Sequence, residues 1–332
     1  MGWSNPIRRK FLIMAIGIGA LGAAYYFGRG RARPEMGEVA YILPESATVS
    51  DSPAEIRLGV ATLRHGERVE VLERRRHWAR LRVADGRTGW IELVHLIEGP
   101  AYQKGQQLLK ELEKEQAQAV GHTAGAANLR VEPAREAPLL AQLDASQSVQ
   151  VFRRRLLERP PRPGAPPLAG PIHDAWYLVR ADSRAGWVLG RLIELDIPEA
   201  IAHYAQSTNM VAWLTLNTVD DRGRAVPQYL VADRMGTPEY DFTRIRVFTW
   251  WSTRQEYVTA YVESNLKGSF PIRVGQVEGV PHFRLRVVDR SGRKIQKVYR
   301  LVDTIVRPAG SVDGWESEAM PERPAGSRGT RR

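Results

Sequence analysis

A mainly β protein is predicted: two small β modules in tandem, then a larger antiparallel β domain, all behind an apolar N-terminal segment. Three observations predict this. A tryptophan–turn–Gly-Trp pattern occurs twice, alternating strands fill the region after residue 198, and Phe11 to Phe27 carries no charge.

The repeat fixes the architecture. Its first copy reads Trp78-Ala79-Arg80-Leu81-Arg82-Val83, then Asp85-Gly86-Arg87-Thr88-Gly89-Trp90-Ile91. The second reads Trp176-Tyr177-Leu178-Val179-Arg180, then Asp182-Ser183-Arg184-Ala185-Gly186-Trp187-Val188. Each ends alike, in Leu96-Ile97-Glu98 and Leu192-Ile193-Glu194. In the first copy Ala79, Leu81 and Val83 fall on one face, and Arg80 and Arg82 on the other, as in a half-buried strand. Asp85-Gly86 is a tight-turn dipeptide, and Val69 to Leu72 and Ser148 to Phe152 supply matching upstream strands. This order of elements resembles the bacterial SH3-like family, closely over residues 40–98 and divergently over 124–196. The second copy opens with Asn128-Leu129-Arg130, similar to the family's N-V-R, where the first has Ala47-Thr48-Val49. The resemblance implies two SH3-like β-barrels that bind peptidoglycan or a protein partner. Trp78, Trp90, Trp176, Tyr177 and Trp187 are the candidate binding residues. A ring in the middle of a strand of so small a barrel also serves as core, and both uses stay open here.

Composition divides the rest. The net charge of +11 is spread, with six basic residues against one acidic in residues 1–36 and 16 against 11 in residues 198–310. No single basic stripe appears, so nucleic acid is not an expected partner. The absence of cysteine excludes disulfides, thiolate zinc sites and a Cys nucleophile. Residues 1–36 read as an anchor with a single transmembrane pass over 11–27. Arg8-Arg9-Lys10 before it places the body on the periplasmic, extracytoplasmic side of the membrane. Residues 37–99 form the first module. Residues 100–123 form a helical linker, since Lys104 to Val120 is rich in helix formers with a thin apolar stripe of Leu108, Leu109 and Leu112. Residues 124–197 form the second module, interrupted by a proline-rich insertion over 159–172.

Residues 198–310 read as an antiparallel meander or small barrel of six or seven strands with one solvated face, and 311–332 as a disordered tail. Trp250, Trp251, Arg254 and Tyr257 form the cluster best suited to stack on a sugar or an aromatic ligand, with sheet packing as the competing use. Asp220 and Asp221 are adjacent carboxylates, but Asp-Asp-Arg-Gly is also a hairpin turn. No phosphate loop, G-x-S-x-G elbow or H-E-x-x-H occurs, and neither catalytic residue, metal nor cofactor is expected. The expected role is a membrane-anchored, non-catalytic envelope protein whose modules bind peptidoglycan or an envelope protein. Its alternatives are a structural scaffold, or an enzyme with an unrecognised site in the C-terminal domain.

Overall fold

A computed structural model describes residues 37–159, 173–206, 208–236 and 239–316. The expected membrane span, the insertion beyond Arg159 and the tail beyond Glu316 lie outside the described residues. Among those described, no helix is long and apolar enough to cross a membrane. The chain is mainly β and antiparallel, and it divides near residue 96 into two compact units.

The first module comprises β1 (Glu38–Ile42), β2 (Ser46–Ser50), β3 (Gly59–Arg64), β4 (Arg68–Arg75), β5 (Trp78–Arg82), β6 (Thr88–Glu92) and β7 (Leu96–Glu98). They form one seven-stranded sheet in the order β3-β2-β6-β5-β4-β1-β7. Ala79, Leu81 and Val83 join Ile42, Val49 and Ile91 in its core, while Arg80 and Arg82 stay exposed, as the alternation requires.

The second module comprises β8 (Ala119–Thr123), β9 (Ala127–Arg130), β10 (Leu139–Leu143), β11 (Ser148–Glu158), β12 (His173–Ala181), β13 (Arg184–Leu189) and β14 (Ile193–Leu195). Its order, β10-β9-β13-β12-β11-β8-β14, repeats the first sheet strand for strand. Across the base of the insertion, Glu158 pairs with His173 in the ladder. One residue further out, the Arg159 guanidinium grips both carboxylate oxygens of Asp174.

The repeated Gly-Trp has a steric cause. A Cβ on Gly89 would lie 2.6 Å from the Ser50 carbonyl oxygen, and one on Gly186 would lie 2.7 Å from that of Arg130. Only glycine permits that approach, which occurs where Trp90 pairs with Ser50 and Trp187 with Arg130.

The helix between the modules departs from expectation. It runs Gly99–Leu112, not to Val120, and its leucine stripe is covered rather than free. Leu112 is buried, and with Leu108 and Leu109 it packs on Phe152, Trp176, Leu178 and Trp187 of the second module. The three leucines form one stripe, and a stripe with a surface to cover docks on it. From Ala119 the chain is already strand β8.

The C-terminal domain has eight strands: β15 (Met210–Asp221), β16 (Arg224–Asp233), β17 (Arg244–Trp251), β18 (Glu256–Glu263), β19 (Gly268–Val277), β20 (Val280–Val288), β21 (Lys294–Val302) and β22 (Ile305–Asp313). They make two four-stranded meanders, β15 to β18 and β19 to β22, rather than one sheet or a barrel. A shared core that includes Leu214, Leu230, Val247, Ile272, Phe283 and Leu285 joins them as a sandwich. The first sheet lacks the expected solvated face. Ile201 and Tyr204, from the helical turns Glu199–Ala202 and His203–Ala205, cover its outer side over Val231 and Phe248. Residues 311–313 belong to β22 rather than to a disordered tail, and the Trp315 indole donates to the Val287 and Ile295 carbonyls.

Gln118 joins the second module to this sandwich. It is fully buried; its amide donates to the Ile272 carbonyl at 3.0 Å and accepts from the Ile272 amide at 2.7 Å. Nearby, Arg154 meets Asp241, whose carboxylate also accepts from the Phe270 amide at 2.8 Å. Within the sandwich Glu263 accepts from Lys297 at 2.5 Å, Tyr299 at 2.5 Å and Tyr261 at 3.1 Å. Burial pushes the Glu263 carboxyl up, but these three donors outweigh it and hold the group below its ordinary value.

Two outcomes follow. Gly89→Ala and Gly186→Ala should each destabilise their own module by about 1–3 kcal/mol, measured by urea unfolding, because the clash is with backbone. The second concerns Glu263: a carboxylate with a depressed folded pKa stabilises above its unfolded pKa and loses that contribution as pH falls through the folded one. Glu263→Gln should therefore flatten the acid limb of a stability–pH profile below about pH 4.5 and cost most at neutral pH.

Candidate functional site

A cleft of about 470 Å³ opens at one rim of the first sheet of the sandwich, where the helical turns meet the β17–β18 hairpin and the start of β16. The hairpin register places Trp250 directly across from Tyr257, and their rings meet edge to face at 5.1 Å. Tyr204, stacked on Phe248 at 4.5 Å, supplies a second aromatic wall and donates its hydroxyl to the Tyr257 carbonyl. The Tyr257 hydroxyl donates to the Pro227 carbonyl at 2.8 Å. Burial pushes the Tyr257 phenol up to about 12 and raises Tyr204 as well, so both stay protonated and act as neutral hydrogen-bonding walls.

The polar rim is Arg224, Gln255, Glu256 and His203. Gln255, held at a left-handed φ of 55°, donates to Asp221 at 2.7 Å and to the Ser252 carbonyl at 2.7 Å. Asp221 is thus a buried acceptor at the hairpin base, and Asp220 accepts from the Gly223 amide at 3.4 Å. Arg224 lies over the Trp250 ring at 5.3 Å; its side chain is 63% exposed and its reach to Asp221 is 3.7 Å. Beneath it, the Trp250 indole N–H is buried with no acceptor among the described residues. An unmatched buried donor is costly, so its presence against a cleft is informative.

Of the four residues proposed in this region, Trp250 and Tyr257 line the cleft. Trp251 and Arg254 lie outside it, stacked on each other at 4.2 Å on the solvent side. Successive side chains of a strand point to opposite faces, which separates the two tryptophans. The sequence reading missed Tyr204 and Arg224, which come from distant segments.

The module tryptophans are distributed differently. Trp90, Trp176, Tyr177 and Trp187 are buried, whereas Trp78 is half-buried with Arg57 over its ring at 4.8 Å. Arg75 covers Trp90 at 5.5 Å and Arg155 covers Trp187 at 5.4 Å, a cation–π pair present in both copies. Trp176 sits deeper than Trp78 because the Gly99–Leu112 helix packs over it. Among the described residues no group of acidic or histidine side chains is placed to hold a metal.

No family model matches the chain, and no curated protein matches it. Solved structures similar to it include NlpC1 from Trichomonas vaginalis, 10% identical over 70% of this chain and 95% of that one, with a TM-score of 0.18. NlpC2 from the same organism is 10% identical over 69% and 97%, with a TM-score of 0.17. An NlpC/P60 family protein from Bacillus cereus is 10% identical over 68% and 94%, with a TM-score of 0.19. The role expected from the sequence, a membrane-anchored, non-catalytic envelope protein or scaffold, is not carried forward: the similar solved structures bear the names NlpC and NlpC/P60. At such TM-scores the likeness brings no activity, substrate or partner to this chain.

The difference in burial between the two strand tryptophans is measurable. Trp176→Ala should cost about 3–5 kcal/mol in urea unfolding, as for a core ring. Trp78→Ala should cost about 1 kcal/mol, as for a half-exposed one.

Proposed function

We propose that the C-terminal sandwich is a binding module for a saccharide-class ligand, held in the cleft between Trp250, Tyr257 and Tyr204. The observation that carries this reading is the unpartnered Trp250 indole N–H, buried beneath the exposed and loosely held Arg224. A sugar ring offers an apolar face for aromatic walls and hydroxyl oxygens for such a donor. A volume of about 470 Å³ suits a small ligand, and the rim supplies both donors and acceptors for its hydroxyls. Arg224, 63% exposed and held by long contacts to Gln255 at 3.5 Å and Asp221 at 3.7 Å, covers the ring, so its displacement would uncover the ring face and the N–H together. The two seven-stranded modules, read as SH3-like, would then carry this binding domain rather than be the sole binding elements.

Isothermal titration of the full chain with cellobiose, maltose and chitobiose tests the reading. At least one should give saturable binding, weakened about tenfold or more by Trp250→Ala. Tyr257→Phe, which removes only a hydroxyl directed at Pro227, should bind within about threefold of the parent. Absence of binding by all three sugars, or equal binding by Trp250→Ala, would overturn the assignment.

A further inference from the structure

A second cavity, of about 280 Å³, lies in the second module and carries a different chemistry. Asn128 and Arg130 reach it from β9, Gln142 from β10, Arg135 from the loop between them, and Arg191 from the helical turn Gly190–Leu192. Trp176 contributes an aromatic wall. Asn128 and Gln142 are cross-strand partners, so their amides stand side by side.

The charges do not cancel. Arg135 binds Asp174 at 3.0 Å, but that carboxylate is shared with Arg159. Arg130 donates to the Ala137 carbonyl at 2.6 Å, and Glu136 is the acidic group whose field acts on it. Arg191 is exposed and has no ion-pair partner among the described residues. Counting the cavity and the groups paired to it, four guanidiniums face two carboxylates, which leaves two positive charges uncompensated. Burial lowers Arg130 from its ordinary value, yet a guanidinium stays charged at neutral pH.

The internal repeat supplies a comparison. In the first module Ser50 occupies the place of Arg130, since each pairs with the tryptophan of its Gly-Trp. Thr48 stands for Asn128, and His95, before Leu96-Ile97-Glu98, stands where Arg191 precedes Leu192-Ile193-Glu194. With the same strand order, the first module carries no cation at the place of Arg130, while Arg57 of its β2–β3 loop lies over Trp78 much as Arg135 joins Trp176 at the cavity. Arg130 is therefore not a requirement of the fold, and its partial desolvation needs another explanation.

We propose that this cavity binds a phosphate group, as a dianionic phosphomonoester, through Arg130, Arg135 and Arg191, with Asn128 and Gln142 as additional donors. Two unmatched charges suit a dianion, and guanidinium forks match its oxygens. The site is separate from the saccharide cleft and does not depend on that reading.

Isothermal titration of the full chain at constant ionic strength tests it, with inorganic phosphate, glycerol phosphate and acetate as probes. Phosphate and glycerol phosphate should bind saturably and acetate at least about tenfold more weakly. Arg191→Ala, at an exposed and unpaired position, should weaken phosphate about tenfold or more while leaving the melting temperature unchanged. Arg130→Ser, which installs the first module's residue, should weaken it at least as much. Soluble dihexanoyl phosphatidic acid separates the sources: tighter binding than glycerol phosphate assigns a lipid headgroup, and equal or weaker binding a soluble phosphoester. The proposal is overturned if phosphate gives no heat beyond a chloride control, if acetate binds as well, or if Arg191→Ala binds phosphate like the parent.

Discussion

Both modules are organised around a point where two strands come too close for a side chain. At Gly89 and Gly186 the sheet closes against the carbonyls of Ser50 and Arg130, and no other residue type fits without moving backbone. The next residue, Trp90 or Trp187, then pairs at the same spot on the strand face opposite the inward Ile91 or Val188, with its ring beneath Arg75 or Arg155. The register of β6 and β13 follows from this contact. A one-residue slip would turn the buried Ile91 or Val188 out of the core. Around this common frame the modules diverge: at the paired position one presents Ser50, the other Arg130.

The second module is tied to the sandwich by polar joints. Gln118 satisfies both backbone groups of Ile272, and its own carbonyl accepts from the Trp213 amide at 2.9 Å. Such groups, once removed from water, must be paired, so the joint favours one arrangement over neighbouring ones. Within the sandwich, Asp233 is fully buried and receives both Arg244 and Arg246, with Arg246 gripping both of its oxygens at 2.8 Å. The first sheet, packed on both faces, is a firm support for a cleft at its rim.

Much of this was legible in the residues. The Trp and Gly-Trp repeat disclosed two like modules, and the alternation of Phe283, Leu285 and Val287 disclosed an antiparallel strand with one buried face. What escaped depends on contacts distant in sequence. Gln116 to Val120 reads as good helix, yet Gln118 has its partner 154 residues away at Ile272 and the strand ladder prevails. β19 and β22 hid behind Pro271, Gly275, Pro308 and Gly310, residues that weaken a strand pattern but are tolerated here. At the cleft, Trp250 and Tyr257 were readable because they sit on one hairpin. Tyr204 and Arg224 were not, because only the packed helical turn and β16 bring them there. Leu108, Leu109 and Leu112 were seen as a stripe, but nothing local showed what it covers.

The clasp of Arg159 on Asp174, outside the Glu158–His173 pair, has an evolutionary consequence. Once the two ends of a connection are held by the scaffold, lengthening it adds only a logarithmic entropy cost, about 0.6 kcal/mol for each doubling. The join between β11 and β12 is thus a position where segments can be gained, lost or exchanged while the sheet keeps its register. In the first module the same two strands turn over Arg76 and His77 alone. The pair of modules therefore shows one scaffold in two conditions, closed tightly in one copy and opened to accept new sequence in the other.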